Sequence, residues 1–376
     1  MKLTSRERIM RIFENKEIDR PALKLWGAGL ADGAHYLHPA YEPVGKLAAE
    51  ISDLFLGTGF AFNIYAGQNI TRYQEKRIED TAEPTWKNVH LIFHTPKGDL
   101  HQLDRVSTIG DPGYTLEHMV KEPEDLEKLL SMEYEPYPIS RKDYDTLLAR
   151  VGDRGIVMPS IDHAAYALER LTGSENLAYF SIDCREELHE VIEVYAKRLR
   201  EHVERIFDLG ITAPIAWVGP ELYIPPLMTP TDFQDFVFKY DKPLCDLIHE
   251  RGGHVWVHCH GKVANFVESF INMGVDVLNP LEPPKNGDIH MGEIISRFGN
   301  RIGWEGNIEI QDLILASPER VKELIDECVR LGSASSRFIL CPSAGFNEYT
   351  QPSPEYINNL LLYLTYGLET VEKYHY

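Results

Sequence analysis

No run of Lys or Arg offsets the acidic excess of this 376-residue chain, in which 38 Lys and Arg face 58 Asp and Glu for a formal net charge of −20. A protein that neutralises nucleic-acid phosphates needs a basic footprint, so no nucleic-acid partner is expected. Long apolar runs are missing as well. Nothing approaches the roughly 18 consecutive apolar residues of a membrane span, and the start, Met1-Lys2-Leu3-Thr4-Ser5-Arg6-Glu7, has no signal-peptide apolar region. The expectation is a cytoplasmic protein with no membrane partner. Cysteine is scarce: Cys184, Cys245, Cys259, Cys328 and Cys341 form an odd, scattered set that fits free thiols in a reducing compartment. No apolar run is followed by G-x-G-x-x-G or G-x-x-x-x-G-K-[ST], so the nucleotide cradles of open α/β sheets are absent.

What is present is an ordinary globular composition, 43% apolar, 10% aromatic and 26% charged, with enough apolar residues for a large core. A helical run from Arg6 to Lys16 precedes Pro21-Ala-Leu-Lys-Leu-Trp26-Gly27, a short buried strand ended by glycine. Residues 28–140 are irregular: a Gly/His/Pro-rich loop, an apolar run at 59–65, and a hairpin whose turn is Pro96-Lys-Gly-Asp99. They read as loops and a hairpin elaborating one domain that spans 1–376. After residue 150, apolar runs at 155–158, 211–217, 254–258, 275–278, 301–304 and 338–340 alternate with helix-period segments at 185–208, 231–251, 263–273, 318–331 and 354–373. Strands separated by helices pair in parallel through right-handed crossovers. With the strand at 22–26 and a candidate at 59–65 they number about eight, the requirement of a (β/α)8 TIM barrel. The fold expected is therefore α/β, a distorted barrel with N-terminal elaborations.

Such a barrel carries its active site where strands end. The sharpest candidate is His254-Val-Trp-Val-His258-Cys259-His260-Gly261. Side chains alternate along a strand, so His258 and His260 share a face about 6.6 Å apart and can converge on one metal ion. The alternative is a pair of hydrogen-bonded loop histidines. Glu221, after the preceding apolar run, would complete a three-ligand set with an open position, the arrangement of catalytic zinc; the alternative is a loop Glu capping the next helix. Glu282, Glu305 and Cys341 also follow strands and could be ligands, orienting partners or substrate contacts, although a buried Cys is common as a small hydrophobe. Asp162-His163 is a weaker pair, with Asp162 a candidate substrate contact or the N-cap of a helix at 164–171. Trp26, Tyr36, Phe60, Phe62, Trp217 and Tyr223 are core or cavity wall, and Trp26, Trp217 and Tyr223 would offer stacking surface to a planar substrate.

The blocks Thr4-Ser-Arg-Glu-Arg-Ile to Ile18-Asp-Arg-Pro21, Leu227-Met-Thr-Pro-Thr-Asp-Phe233, Gly252-Gly-His-Val to His258-Cys-His-Gly261, and Gly274-Val-Asp-Val-Leu-Asn-Pro-Leu-Glu282 through Gly306-Asn307 resemble the uroporphyrinogen decarboxylase superfamily across nearly the whole chain. The resemblance implies a distorted (β/α)8 barrel. The family's decarboxylases carry an R-Q-A-G-R loop after the first strand; here Leu25-Trp-Gly-Ala-Gly-Leu30 stands in that place, without the counter-charges a tetrapyrrole's carboxylates require. The other large branch holds zinc-dependent, corrinoid-linked methyltransferases. Its thiol-methylating members carry H-x-C-G and a later Cys, where this chain has His260 and Ala344, with Cys341 three residues earlier. The H-C-H-G form with Gly219-Pro-Glu221 is instead similar to members that take a methyl group from a substrate, commonly a methoxylated aromatic, and pass it to a corrinoid protein. The resemblance thus implies zinc held by Glu221, His258 and His260, with Cys341 as a further candidate ligand, and a corrinoid-carrying partner. Transfer to a thiol or a folate, and a metal-free barrel that binds a small ligand, are the alternatives.

Overall fold

The computed structural model describes residues 2–30, 38–345 and 351–374. In chain order its strands are β1 (Ala22–Leu23), β2 (Leu54–Gly59), β3 (Gln74–Asp80), β4 (Trp86–Thr95), β5 (Gly98–Ser107), β6 (Tyr114–Glu117), β7 (Gly155–Ser160), β8 (Pro214–Val218), β9 (His254–His258), β10 (Val277–Asn279), β11 (Gly303–Ile308) and β12 (Phe338–Pro342). Among the described residues eight of them form one parallel sheet in the order β1-β12-β11-β10-β9-β8-β7-β2, and β3 to β6 form a separate antiparallel sheet. The architecture is the expected distorted (β/α)8 barrel.

Alternation along the strands separates two cores. Ala22, Met158, Ala216, Trp256, Val277, Ile339 and Cys341 pack together inside the barrel, while Ile215, Trp217, Val255, Val257, Leu278 and Leu340 meet the surrounding helices. Those helices begin on side-chain caps: Ser317 over Pro318–Gly332 and Ser353 over Pro354–Val371 each accept a backbone N–H of the first turn.

The seam between β1 and β2 has no strand ladder, and Asp53 closes it. Its N–H donates to the Leu23 carbonyl at 2.7 Å, and its carboxylate accepts the Leu23 N–H at 2.9 Å and the Arg8 and Arg20 guanidinium groups at 2.7 and 3.2 Å. A buried carboxylate is tolerated here because each oxygen is paired and hydrogen-bonded.

Two sequence expectations are corrected. The second barrel strand is 54–59, not 59–65, because the Asn63 side chain accepts the Tyr65 and Ala66 N–H groups at 3.1 and 3.0 Å and turns the chain there. The helix Ala164–Asp183 is capped by His163, whose Nδ1 accepts the Tyr166 N–H, and not by Asp162. The hairpin at Pro96-Lys97 joins β4 to β5 and belongs to the antiparallel sheet. Tyr36 lies outside the described residues.

Asp53→Ala is expected to cost about 3–5 kcal/mol, the range for removing one partner of a buried charge network, read as a lowered urea midpoint with unchanged slope. Asp53→Asn, which keeps the bond to the Leu23 N–H, is expected to cost less.

Candidate active site at the strand ends

The ends of β8, β9 and β10 bring four sequence candidates, Glu221, His258, His260 and Glu282, to one sector of the barrel. β9 stops at His258, and the chain turns on Gly261 at φ +89°, a region that favours glycine. The turn swings His260 edge-on to His258, with ring centroids 4.4 Å apart.

Each ring is held through Nδ1. The His258 Nδ1 lies 2.6 Å from Asn279 Oδ1, and the Asn279 amide donates from Nδ2 to Glu305 Oε1 at 2.8 Å. A carboxylate only accepts, so the amide must turn its oxygen to His258, and His258 carries its proton on Nδ1. His260 Nδ1 faces Glu282 Oε1 at 2.8 Å, while the other Glu282 oxygen accepts the Gly261 N–H at 2.7 Å. In its neutral form each imidazole therefore keeps Nε2 as a lone pair. Metal-ligating histidines are oriented in the same way, by an acceptor on the other nitrogen.

Behind this pair runs a buried relay. Glu305 accepts Lys24 Nζ at 2.5 Å and Trp256 Nε1 at 2.8 Å in addition to Asn279. Lys24 Nζ also sits 4.5–4.8 Å above the rings of Trp26, Phe55 and Trp256, a cation–π arrangement that offsets the lost hydration of the ammonium. Trp26 stacks on Trp256 and on His258, at 5.5 and 4.8 Å between centroids.

Burial, with the adjacent His260, pushes His258 down to about 4. Burial also acts on His260, but the hydrogen bond and charge of Glu282 outweigh it and hold this imidazole above its usual value. Glu282 answers in the opposite sense: burial would raise it, yet His260 and the Gly261 N–H keep it below the usual carboxylate range.

Glu221 lies on the turn Pro220–Tyr223 after Gly219, which has φ +118° and where an added Cβ would meet the Tyr166 side chain at 2.6 Å. Its Oε2 is buried without a hydrogen-bond partner, and burial raises its pKa. Among the described residues no three His, Cys, Asp or Glu side chains are grouped closely enough to hold a metal ion. The donor types and the tautomers suit zinc.

The remaining candidates separate. Cys341 is fully buried inside the barrel, where burial and Glu305 hold its thiol well above the usual range, and it joins the Glu305 relay. Tyr223 is buried with its hydroxyl donating to the Ala165 carbonyl at 2.8 Å, so it presents no stacking face. Asp162 pairs with Arg170 at 3.3 Å and does not line the cavity. Trp217 packs in the helix-facing core and borders the cavity beside Ala216.

That cavity, about 540 Å³, is lined by Lys24, Trp26, Phe55, Met158 and Trp256 among others. Trp26 is thus both its wall and the lid of His258. Glu309 is a site residue that sequence reasoning missed. It accepts Asn286 Nδ2 and Ser343 Oγ, each at 3.1 Å, and its Oε1 is buried without a partner. The apolar run 301–304 puts the strand end at Glu305, whereas β11 runs on through Ile308 and places Glu309 at the true strand end.

A family model described as uroporphyrinogen decarboxylase (URO-D) matches residues 117–355. A solved methyltransferase from Methanosarcina mazei superposes with a TM-score of 0.59 at 12% identity, over 96% of this chain and 98% of that chain. A xylose isomerase-like TIM barrel protein from Mycobacterium smegmatis reaches a TM-score of 0.32 at 12% identity, over 66% of this chain and 89% of that chain. A D-psicose 3-epimerase reaches 0.31 at 10% identity, over 62% and 81%. No curated protein matches the chain.

In the metal-free protein, nitrogen-resolved NMR should find His258 neutral and protonated on Nδ1 down to about pH 4, and His260 titrating above the usual histidine value. Glu282→Gln removes the charge that favours the His260 imidazolium, so its titration should move downward. An unmoved His260 would contradict the assigned pairing.

Proposed function

From the premise that the chain belongs to the uroporphyrinogen decarboxylase family, we propose that it is a zinc-dependent methyltransferase. It takes the methyl group of a methoxylated aromatic and passes it to the reduced corrinoid of a partner protein. The observation that carries this reading is the imidazole pair: both Nδ1 atoms are tied down, which leaves Nε2 of each neutral ring to a metal, near the buried, unpartnered oxygen of Glu221. The fold shared with a methanogen methyltransferase is consistent with it.

Glu221, His258 and His260 would hold the metal. Zinc bound there would supply Lewis acidity toward the ether oxygen, whose departure as phenolate is the difficult part of demethylation. The protein's own residues supply orientation. Asn279 and Glu282 aim the two imidazoles, and the aromatic wall of Trp26, Phe55 and Trp256 suits a planar ring. The methyl carbon must remain open to an acceptor brought by a docking protein over the strand C-termini.

Against decarboxylation of a tetrapyrrole, the loop after β1 lines the cavity with Trp26, Gly27, Ala28, Gly29 and Leu30, where the family's decarboxylases place arginines to bind carboxylates.

Protein purified without chelator should carry about one zinc per chain, the stoichiometry of a three-ligand catalytic site. Metal content should fall away in the His258→Ala, His260→Ala double variant; unchanged content would remove the site. Mixed with a reduced corrinoid protein and a panel of methoxyaromatics, the protein should generate the methylcorrinoid absorbance. Asn279→Ala should lower zinc affinity or rate about 10- to 100-fold, the usual effect of losing a residue that orients a ligand. Consumption of methylcorrinoid by a thiol or a folate would reverse the direction of transfer.

A further inference from the structure

The antiparallel sheet has two edges of unlike kind. The β6 edge is four residues long, follows Pro112, and is offset from β5 by a bulge between Leu103 and Asp104. Shortness and bulges are devices that blunt an edge against pairing. The β3 edge has neither, and its charged side chains, a further such device, are of both signs. Gln74–Asp80 runs seven residues in unbroken register with β4, contains no Pro or Gly, and is exposed at every residue except the half-buried Glu75. Ile78, 65% exposed, stands near its centre. The outward row of backbone N–H and C=O groups on such a strand is a template for another strand.

We propose that β3 pairs with β3 of a second copy of this chain, antiparallel about a two-fold axis at Ile78, to give one continuous sheet across the dimer. The sequence Gln74-Glu-Lys-Arg-Ile-Glu-Asp80 is self-complementary in that register. Lys76 lies opposite the partner's Asp80, Arg77 opposite the partner's Glu79, and Ile78 opposite its own copy, as an isologous interface requires. Directly opposite residues share a face, so Lys76, Ile78 and Asp80 stay on the face of Val89, and Arg77 and Glu79 on the face of His90.

Neighbouring registers are disfavoured. Centring on Arg77 sets Glu75 opposite the partner's Glu79 and Arg77 opposite itself. Centring on Glu79 sets that carboxylate opposite its own copy, and centring on a peptide bond would set residues of opposite faces against each other, which a two-fold sheet does not allow. Like charges directly opposite destabilise a pair of strands.

Within one chain Arg77 already meets Glu75 at 2.5 Å, Glu79 meets His90 at 3.3 Å, and Asp80 meets Lys87. Pairing exchanges these exposed contacts for inter-chain ones at little net Coulomb gain. The backbone ladder and the burial of Ile78 supply the affinity, while the charges select the register. The net charge of −20 on each copy opposes approach at low ionic strength, so association should require salt that screens it.

Sedimentation equilibrium of the full chain in about 0.15 M salt, where the screening length is about 8 Å, tests the proposal. The wild type should dimerise with a micromolar dissociation constant, as expected for an interface at the small end of the usual size range. Arg77→Glu and Glu79→Arg should each weaken association at least about tenfold, because each creates like-charge pairs across the axis. The double variant Arg77→Glu, Glu79→Arg re-forms the pairs with signs exchanged and should recover the wild-type constant. Unchanged far-UV circular dichroism would show that the exposed substitutions leave the fold intact. A wild type that stays monomeric to about 100 µM, well above that micromolar range, would overturn the proposal. So would a dimer that neither single reversal weakens, or a double variant as weak as the singles.

Discussion

The buried ion pair of Lys24 and Glu305 is the constraint on which the site depends. Either charge buried alone would carry a large desolvation cost. Glu305 is satisfied by three donors, Lys24, Trp256 and Asn279, and Lys24 by one carboxylate and three aromatic faces. The consequence reaches the chemistry. Glu305 fixes the orientation of the Asn279 amide, Asn279 fixes the tautomer of His258, and the lone pair at His258 Nε2 follows. A charge within β11 thus decides which nitrogen is free at the end of β9.

The same group of residues joins recognition to reaction. Trp26 stacks on His258 and lines the cavity, so a planar ligand against that wall lies one indole away from the imidazole pair. Glu282 and Glu309, at the ends of the next two strands, add carboxylates near His260. The donors gather at β8 to β11, and the aromatic surface is supplied by Trp26 after β1, Phe55 on β2 and Trp256 on β9. Such a division suits a reaction in which one region polarises and another orients.

The strand-end candidates differed in how legible they were, for reasons visible in particular residues. His258 and His260 could be read from spacing alone, because H-x-H before glycine at the end of a strand leaves few conformations. Glu282 followed in the same way from an apolar run that ends in Asn279-Pro280. Tyr223 and Cys341 could not be placed, because an aromatic or a thiol near a strand end suits either side of the sheet, and only the packing sends Tyr223 into the core and Cys341 to the Glu305 relay. Glu309 was hidden by Gly306-Asn307, two poor strand formers inside β11. The second barrel strand was displaced because 59–65 is as apolar as 54–59, and the Asn63 turn that separates them is a side-chain hydrogen bond rather than a hydropathy feature.

Periodicity and motif spacing determined the barrel class, the alternation of strands and helices after residue 150, and the imidazole pair, because each is set by residues near in sequence. Tertiary structure alone decided the rest. The closure of the seam by Asp53 joins residues 30 and 45 positions apart, and the Lys24–Glu305 pair spans 281. Contacts of that range leave no local pattern. They depend on which buried charges the finished fold can bring together and satisfy, and that is fixed only when the barrel closes.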